Sequence, residues 1–276
     1  RMLWQESFPV YEQIMAKRTA DALLPESERK LLTWPWQSWR NLIDPLDPGM
    51  LVVLAAGDGG GKTLYAECLA EHWAKTGRNV VFLHFELNRA LMLDRRMVRH
   101  TGIPRRVLKE GRLSADQERI RQSANARLKG WLGGITYIHT PGWTTEKALS
   151  EVNGCIGKGL CDVFVVDYLE KAAPSPRQQK TYGTNIFARE ADDVEQIKSF
   201  AEQHELPALL LAQLNKIGKG QQFQNLDKTA IRGAGEKTEK ANIVVLLHRE
   251  TNESTIVKVR IDKNTVGPTG SFEQFM

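Results

Sequence analysis

The chain has 276 residues, 41% of them hydrophobic and 26% charged, which fits a globular protein with one large core or two unequal parts and excludes a disordered chain. Lys and Arg outnumber Asp and Glu by 38 to 33, a formal charge of +5 that suits a polyanionic partner without requiring one. Cys68, Cys155 and Cys161 form no C-x-x-C pair, so neither a zinc site nor a disulfide framework is indicated, and no run reaches the roughly 18 apolar residues of a membrane span; a cytoplasmic protein with no membrane partner is expected.

With Arg1 and not Met at its start, the chain reads as a fragment of a longer protein, and further domains stay open. Residues 6–31 read as a helix, with Phe8, Tyr11, Ile14, Met15 and Leu23 partly following helical spacing until Thr33-Trp34-Pro35-Trp36 breaks it. Residues 1–32 are therefore expected to be a linker helix or appendage, and 33–276 one domain. After Pro48-Gly49 the continuous apolar run Met50 to Ala56 reads as a strand covered on both faces. Helix 63–75 closed by Gly77, strand 79–86, helical residues 89–129, strand 135–139, helix 145–157, strand 162–167, helix 186–204 and strand 208–213 follow. Strands near 242–248 and 255–261 have no helix between them.

This alternation predicts an α/β fold, a mostly parallel twisted sheet flanked by helices with an antiparallel hairpin at its C-terminal edge. Two stretches, 170–185 and 215–241, are rich in Gly, Gln, Lys and Thr and read as long loops. Each follows the C-terminal end of a strand, the edge at which open α/β sheets bind ligands.

At that edge the first strand runs into Ala56-Gly57-Asp58-Gly59-Gly60-Gly61-Lys62-Thr63 and then into an amphipathic helix. Gly57, Gly59, Gly60 and Gly61 allow backbone N–H groups to turn inward around phosphate oxygens, with the helix N-terminus adding partial positive charge. Lys62 supplies a point charge for the β- and γ-phosphates, and Thr63 a hydroxyl for Mg²⁺. The general P-loop pattern is missed at its first position, where Ala56 stands. The expected cofactors are ATP, or another nucleoside triphosphate, and Mg²⁺.

Three further strands deliver polar side chains to the same edge. Val163-Phe164-Val165-Val166 ends in Asp167, a Walker B candidate for the metal, or else the start of a surface turn. Strand 79–86 ends in Glu86, placed to orient an attacking water or to cap the following helix; His84, two residues back, reads as a packing histidine. Strand 208–213 ends in Gln213, a γ-phosphate sensor or a polar strand end.

These strand ends, in this order, resemble the RecA-like motor domain of DnaB-type replicative helicases. The similarity rests on residues 55–63, Phe85-Glu86-Leu87, Val166-Asp167-Tyr168-Leu169, Gln213-Leu214-Asn215-Lys216, and Lys263 with Gly267-Pro268 and Gly270, spread over nearly the whole chain. It implies a RecA-like P-loop NTPase in which Lys62 and Thr63 bind phosphate and Mg²⁺, Glu86 is the catalytic glutamate, Asp167 holds the metal through water and Gln213 senses the γ-phosphate. It implies also a homo-hexameric ring translocating on single-stranded DNA, with a primase or loader protein as a further partner. Arg232-Gly233-Ala234-Gly235 is similar to the family's DNA-contacting loop, and Arg249 matches an arginine near the nucleotide. Where the family carries an arginine finger two residues after its lysine, this chain has Thr265; Lys263 alone, or Arg260, would have to reach an adjacent subunit's site.

From the residues themselves, loop 215–241 offers Lys216, Lys219, Lys228, Arg232 and Lys237 among glycines to a phosphate backbone. Residues 105–129, with eight Lys or Arg against three acids, read more readily as a solvated helix face. A nucleotide-gated DNA-binding scaffold with weak hydrolysis, and a P-loop small-molecule kinase, stay open as alternatives to the motor.

Overall fold

The computed structural model describes residues 4–24, 31–86, 89–215, 223–251 and 254–275. The chain divides into two compact units, residues 1–32 and 33–276. The first holds α1 (Trp4–Leu23), on which Tyr11, Met15 and Leu23 are exposed. The helix expected over 6–31 thus ends earlier, and residues 25–30 lie outside the described residues.

Among the described residues the second unit is built on one eight-stranded sheet in the order β3-β2-β4-β5-β1-β6-β7-β8. Its strands are β1 (Leu51–Ala56), β2 (Val80–His84), β3 (Ile135–His139), β4 (Val163–Asp167), β5 (Ala208–Gln213), β6 (Ile243–His248), β7 (Ile256–Asn264) and β8 (Gly270–Phe275). The strands from β3 through β6 pair in parallel, and β7 and β8 add an antiparallel edge. Every residue of β1, β2 and β4 is buried, as their unbroken apolar sequences require when helices cover both faces. One face packs Leu51, Val53 and Ala55 with their cross-strand neighbours against α7 (Thr145–Ile156) and α9 (Ile186–Gln203). The other face carries α3 (Lys62–Lys75), which contacts β1, β2, β3 and β5.

The Thr33-Trp34-Pro35-Trp36 stretch leads into a short helix, α2 (Gln37–Arg40), that buries aromatic rings against α3. Trp34 and Trp39 stack at 5.2 Å, Trp36 meets Tyr65 at 5.2 Å, and the Trp39 indole N–H donates to Gln274 of β8 at 2.8 Å. Truncating a buried Trp of this kind costs about 3–5 kcal/mol, so the cluster fixes the helix that begins at the glycine turn.

Residues 89–129, one helical stretch by sequence, form α4 (Arg89–Thr101), α5 (Arg105–Glu110) and α6 (Ala115–Lys129). Gly102 and Gly111, both at positive φ, end the first two, and a Ser114/Gln117 capping box starts the third. Arg96 of α4, almost fully buried, bridges Glu67 and Glu71 of α3 and lies over the Tyr137 ring. Both polar stretches expected as loops contain helices: α8 (Pro176–Tyr182), behind a Ser175/Gln178 capping box, and α10 (Ala234–Lys240). Among the described residues no helix is long and apolar enough to cross a membrane.

Candidate functional site

β1 ends at Ala56, and the next five residues reverse the chain into α3. Gly59 and Gly61 take φ of 70° and 91°, a region that favours glycine. At Gly60 the constraint is space: a Cβ there would lie 2.8 Å from the Ala56 Cβ and 3.0 Å from the Gly57 oxygen. Lys62, largely buried, turns its ammonium back into the loop and donates to the carbonyls of Ala56 (3.1 Å) and Gly57 (3.3 Å). Thr63 sits half-buried in the first turn of α3.

Sheet order decides what surrounds this turn. β2, β4, β5 and β1 are consecutive neighbours, all parallel, so their C-terminal ends share one edge. Gln213 stands opposite Ala56, and its side-chain amide donates to Asp58 inside the glycine turn at 3.2 Å. Asp167, buried at the end of β4, stands opposite His84, whose Nδ1 is 3.4 Å from its carboxylate. His84 itself is a packing residue, its ring stacked with Phe82 and Tyr137. β2 stops at His84, so Glu86 lies just beyond the strand and is exposed. Its carboxylate meets Tyr168, the residue after Asp167; burial first, and then that carboxylate, push the Tyr168 hydroxyl above the usual tyrosine range. Beyond β6, on the other side of β1, Arg249 donates to the carbonyls of Gly59 (3.3 Å) and Ser254 (3.1 Å).

A cavity of about 570 Å³ opens beside Gly61, lined by Leu64, Tyr65, Cys68, Arg99 and Arg249 among others. Its size falls within the range of small-molecule sites. Asp58 and this cavity were not evident in the sequence. Asp58 is one more position inside a glycine run, and the cavity is assembled from segments distant in the chain.

The residues suit a hydrated Mg²⁺ held with phosphates: one hydroxyl, Thr63, and one buried carboxylate, Asp167, both oxygen donors. Among the described residues there is no cluster of three His, Cys, Asp or Glu side chains that would form an all-protein cage.

Lys263 lies elsewhere. It pairs with Val244 near the start of β6, at the edge away from the glycine turn, and donates to the carbonyls of Thr238 (2.8 Å) and Glu239 (2.9 Å). Arg260 binds the carbonyls of Leu226 and Gln224 and covers the Phe223 ring; Thr265 is exposed. Of the basic loop, Lys228 and Gly235 are exposed and Arg232 is partly so, while Gly233 takes a φ of 63°. Lys216 and Lys219 lie outside the described residues. Lys237 is a correction: grouped by sequence with the phosphate-facing residues, it is 1% exposed and held by carboxylates, so it presents no charge at the surface.

A sequence model of the DnaB-like helicase C-terminal domain matches residues 36–275. The chain is 24% identical over 228 residues to the replicative DNA helicase DnaC of Bacillus subtilis, covering 80% of this chain and 49% of that protein. It is 23% identical over 230 residues to the replicative DNA helicase DnaB of Geobacillus stearothermophilus, covering 81% and 49%. The chain therefore spans about half the length of the curated relatives it matches. Among solved structures, a DnaB-like replicative helicase described with its primase interactions superposes with a TM-score of 0.83 at 18% identity, over 99% of this chain and 66% of that one. A second solved structure, described as an ATPase domain, superposes with a TM-score of 0.79 at 17% identity, over 95% and 93%.

Proposed function

The chain belongs to the DnaB-like helicase C-terminal domain family, and from that premise we propose that it is the ATP-hydrolysing motor of a replicative-type helicase, acting on single-stranded DNA as a ring. The observation that carries this is the adjacency of four strand ends: Lys62 and its glycine turn, Gln213, Asp167 and Glu86 at one edge of the sheet.

In this reading the triphosphate lies in the glycine turn, its oxygens held by backbone N–H groups and by Lys62 in place of the carbonyls that ammonium now contacts. The nucleoside extends toward the cavity beside Gly61, where Tyr65 and Arg249 meet it. Thr63 and Asp167 would hold Mg²⁺, which supplies charge neutralisation at the phosphate oxygens. Glu86 orients the attacking water; Tyr168, donating to its carboxylate, holds it near β4. Gln213, now bound to Asp58, exchanges that partner for the γ-phosphate and passes the change to the loop that follows it. That loop, with Lys228, Arg232, Gly233 and Gly235, and with Lys216 and Lys219 on the same segment, meets the DNA backbone.

Lys263, at the far edge of its own sheet, serves an adjacent copy's site, so full hydrolysis needs a homo-hexamer. The relative described with its primase interactions supports a primase as a partner of the assembled protein.

A second reading, a nucleotide-gated DNA-binding scaffold with weak hydrolysis, is favoured by Thr265 at the finger position and by the carbonyl contacts that occupy both Lys263 and Arg260. Hydrolysis measured with and without single-stranded DNA separates the two. The motor predicts DNA-stimulated turnover abolished by Lys62→Ala, and the scaffold predicts DNA binding with negligible turnover; hydrolysis indifferent to DNA would count against both.

A further inference from the structure

Lys237 of α10 is more deeply buried than the other described lysines of the basic segment. Its ammonium donates to Glu170 (2.7 Å), Glu190 (3.1 Å) and the carbonyl of Arg232 (2.9 Å), and both carboxylates are themselves at most 3% exposed. One ammonium between two carboxylates leaves a negative charge in excess, which is costly in a dry interior. Arg232 supplies the balance. Its guanidinium lies 3.3 Å from Glu190, while 38% of its side chain remains open to solvent. The chain can close on this cluster because the next residue is Gly233, where a Cβ would stand 3.2 Å from the Glu190 carboxylate.

The cluster is wired to the nucleotide edge. Glu170, three residues beyond Asp167, accepts the backbone N–H of Gln213 at 3.2 Å through the same oxygen that Lys237 holds. Its other carboxylate oxygen is buried and has no hydrogen-bond partner among the described residues, so its hold on this corner runs through that single atom. The amide of Arg232 in turn donates to the Gln213 carbonyl at 2.7 Å. Gln213 is therefore gripped on one side by Glu170 and on the other by Arg232, with Lys237 and Glu190 closing the circuit.

We propose that Glu170, Lys237 and Glu190 are positioning residues that turn Arg232 into a charge switch between the DNA loop and Gln213. A phosphate that draws Arg232 from Glu190 leaves the cluster one negative charge over. Lys237 then shifts toward Glu190, its hold on Glu170 slackens, and Glu170, no longer pinned by the ammonium, can move together with the Gln213 amide from which it accepts. Linkage makes the effect reciprocal: nucleotide at Gln213 changes the affinity for DNA by the factor with which DNA changes the affinity for nucleotide. The proposal rests on the reading that Arg232 meets DNA phosphate and Gln213 the γ-phosphate, and it adds the residues that join them.

The test is binding of a labelled oligo(dT), with and without a non-hydrolysable ATP analogue and Mg²⁺, alongside hydrolysis and thermal melting. It compares wild type, Glu190→Gln, and the double variant Glu170→Gln/Lys237→Met. In each variant the one buried carboxylate of the cluster that remains still has a cation beside it; the double variant replaces a buried ion pair as a whole, which folds often tolerate, whereas Glu190→Gln removes one partner alone and costs more stability. In wild type the analogue changes oligo(dT) affinity by about tenfold. In both variants that ratio falls to within about twofold of unity, while melting stays cooperative, at a lower temperature because these groups also anchor α10, and DNA-free hydrolysis stays near wild type. If Glu190→Gln does not fold, the double variant decides. A purely structural role would lower stability and hydrolysis and leave the ratio intact, and that result overturns the proposal, as does a wild-type ratio in either folded variant. Failure of the underlying reading looks different: wild type itself would bind no oligo(dT) or hydrolyse no nucleotide, and the proposal would fall with it.

Discussion

Replacing Gly60 with Ala tests the phosphate cradle at its tightest point. The added methyl would stand 2.8 Å from the Ala56 Cβ and 3.0 Å from the Gly57 oxygen. Carbon atoms pack at about 3.5–4.0 Å, so the overlap is roughly 1 Å, and the neighbouring atoms belong to the turn itself and to the end of a fully buried strand. Overpacking of this kind costs about 1–3 kcal/mol of stability. The larger effect is functional: opening the turn by roughly 1 Å carries its N–H groups out of hydrogen-bond range of a bound phosphate. Each such bond to a charged acceptor contributes about 1.5–3 kcal/mol, or roughly ten- to a hundredfold in affinity. Titration with a fluorescent ATP analogue and Mg²⁺ should show that loss in a protein that still melts cooperatively. Ala56→Gly added to Gly60→Ala removes the methyl–methyl overlap and leaves the carbonyl contact, so it should restore part of the affinity. Wild-type affinity in Gly60→Ala would refute the reasoning.

Glu86→Gln should lower hydrolysis by about 10²–10⁴-fold while nucleotide binding stays within a few-fold of wild type, because a water-orienting base acts on the chemical step; equal losses in binding and turnover would assign Glu86 a different role. Asp193 is buried beside Gln178, and burial raises its carboxyl from the ordinary 3.8 to about 6. Between these values the folded protein keeps a proton that the unfolded chain releases, so this contribution to stability is complete below about pH 4 and lost as pH rises through 6. At about 1.4 kcal/mol per unit the loss is at most about 3 kcal/mol. Asp193→Asn should therefore gain stability over wild type from pH 4 to 7, and parallel stability profiles would contradict the assignment. Cys68 lines the cavity beside Gly61, so bound nucleotide should slow its alkylation, whereas Cys161, whose thiol burial pushes up to about 12, should be unreactive with or without nucleotide; unchanged Cys68 labelling would place the nucleoside elsewhere.

The parallel part of the sheet was legible because burial on both faces leaves an unbroken apolar run, as in Leu51–Ala56 and Val163–Asp167, with a polar residue only where the strand leaves the core. The same property exposed the candidate site: Asp167 and Gln213 end apolar strands at the edge beside the glycine turn. Glu86 was attributed to a strand that stops at His84, since a His flanked by apolar residues does not mark an end. β8 escaped notice because it lies at the sheet margin, alternates partly buried and exposed residues, and keeps Gln274 inside for the sake of the Trp39 indole. α8 and α10 were hidden by polar composition. The first is held by Gln178 donating to Asp192 and Asp193, and the second by the burial of Lys237 between two glutamates. Such helices are stabilised by partners on other elements, 14 and 15 residues away for Gln178 and 47 and 67 for Lys237, which periodicity within the helix itself does not register.

The central claim is that the ends of β1, β2, β4 and β5 address one bound triphosphate. The most direct test is a crystal structure of this chain with a non-hydrolysable ATP analogue and Mg²⁺. The account predicts phosphates inside the Gly57–Gly61 turn, Lys62 and Gln213 within hydrogen-bond reach of the terminal phosphate, and the metal beside Thr63 and Asp167. A nucleotide bound elsewhere, or a terminal phosphate out of reach of Gln213 and Glu86, would contradict it.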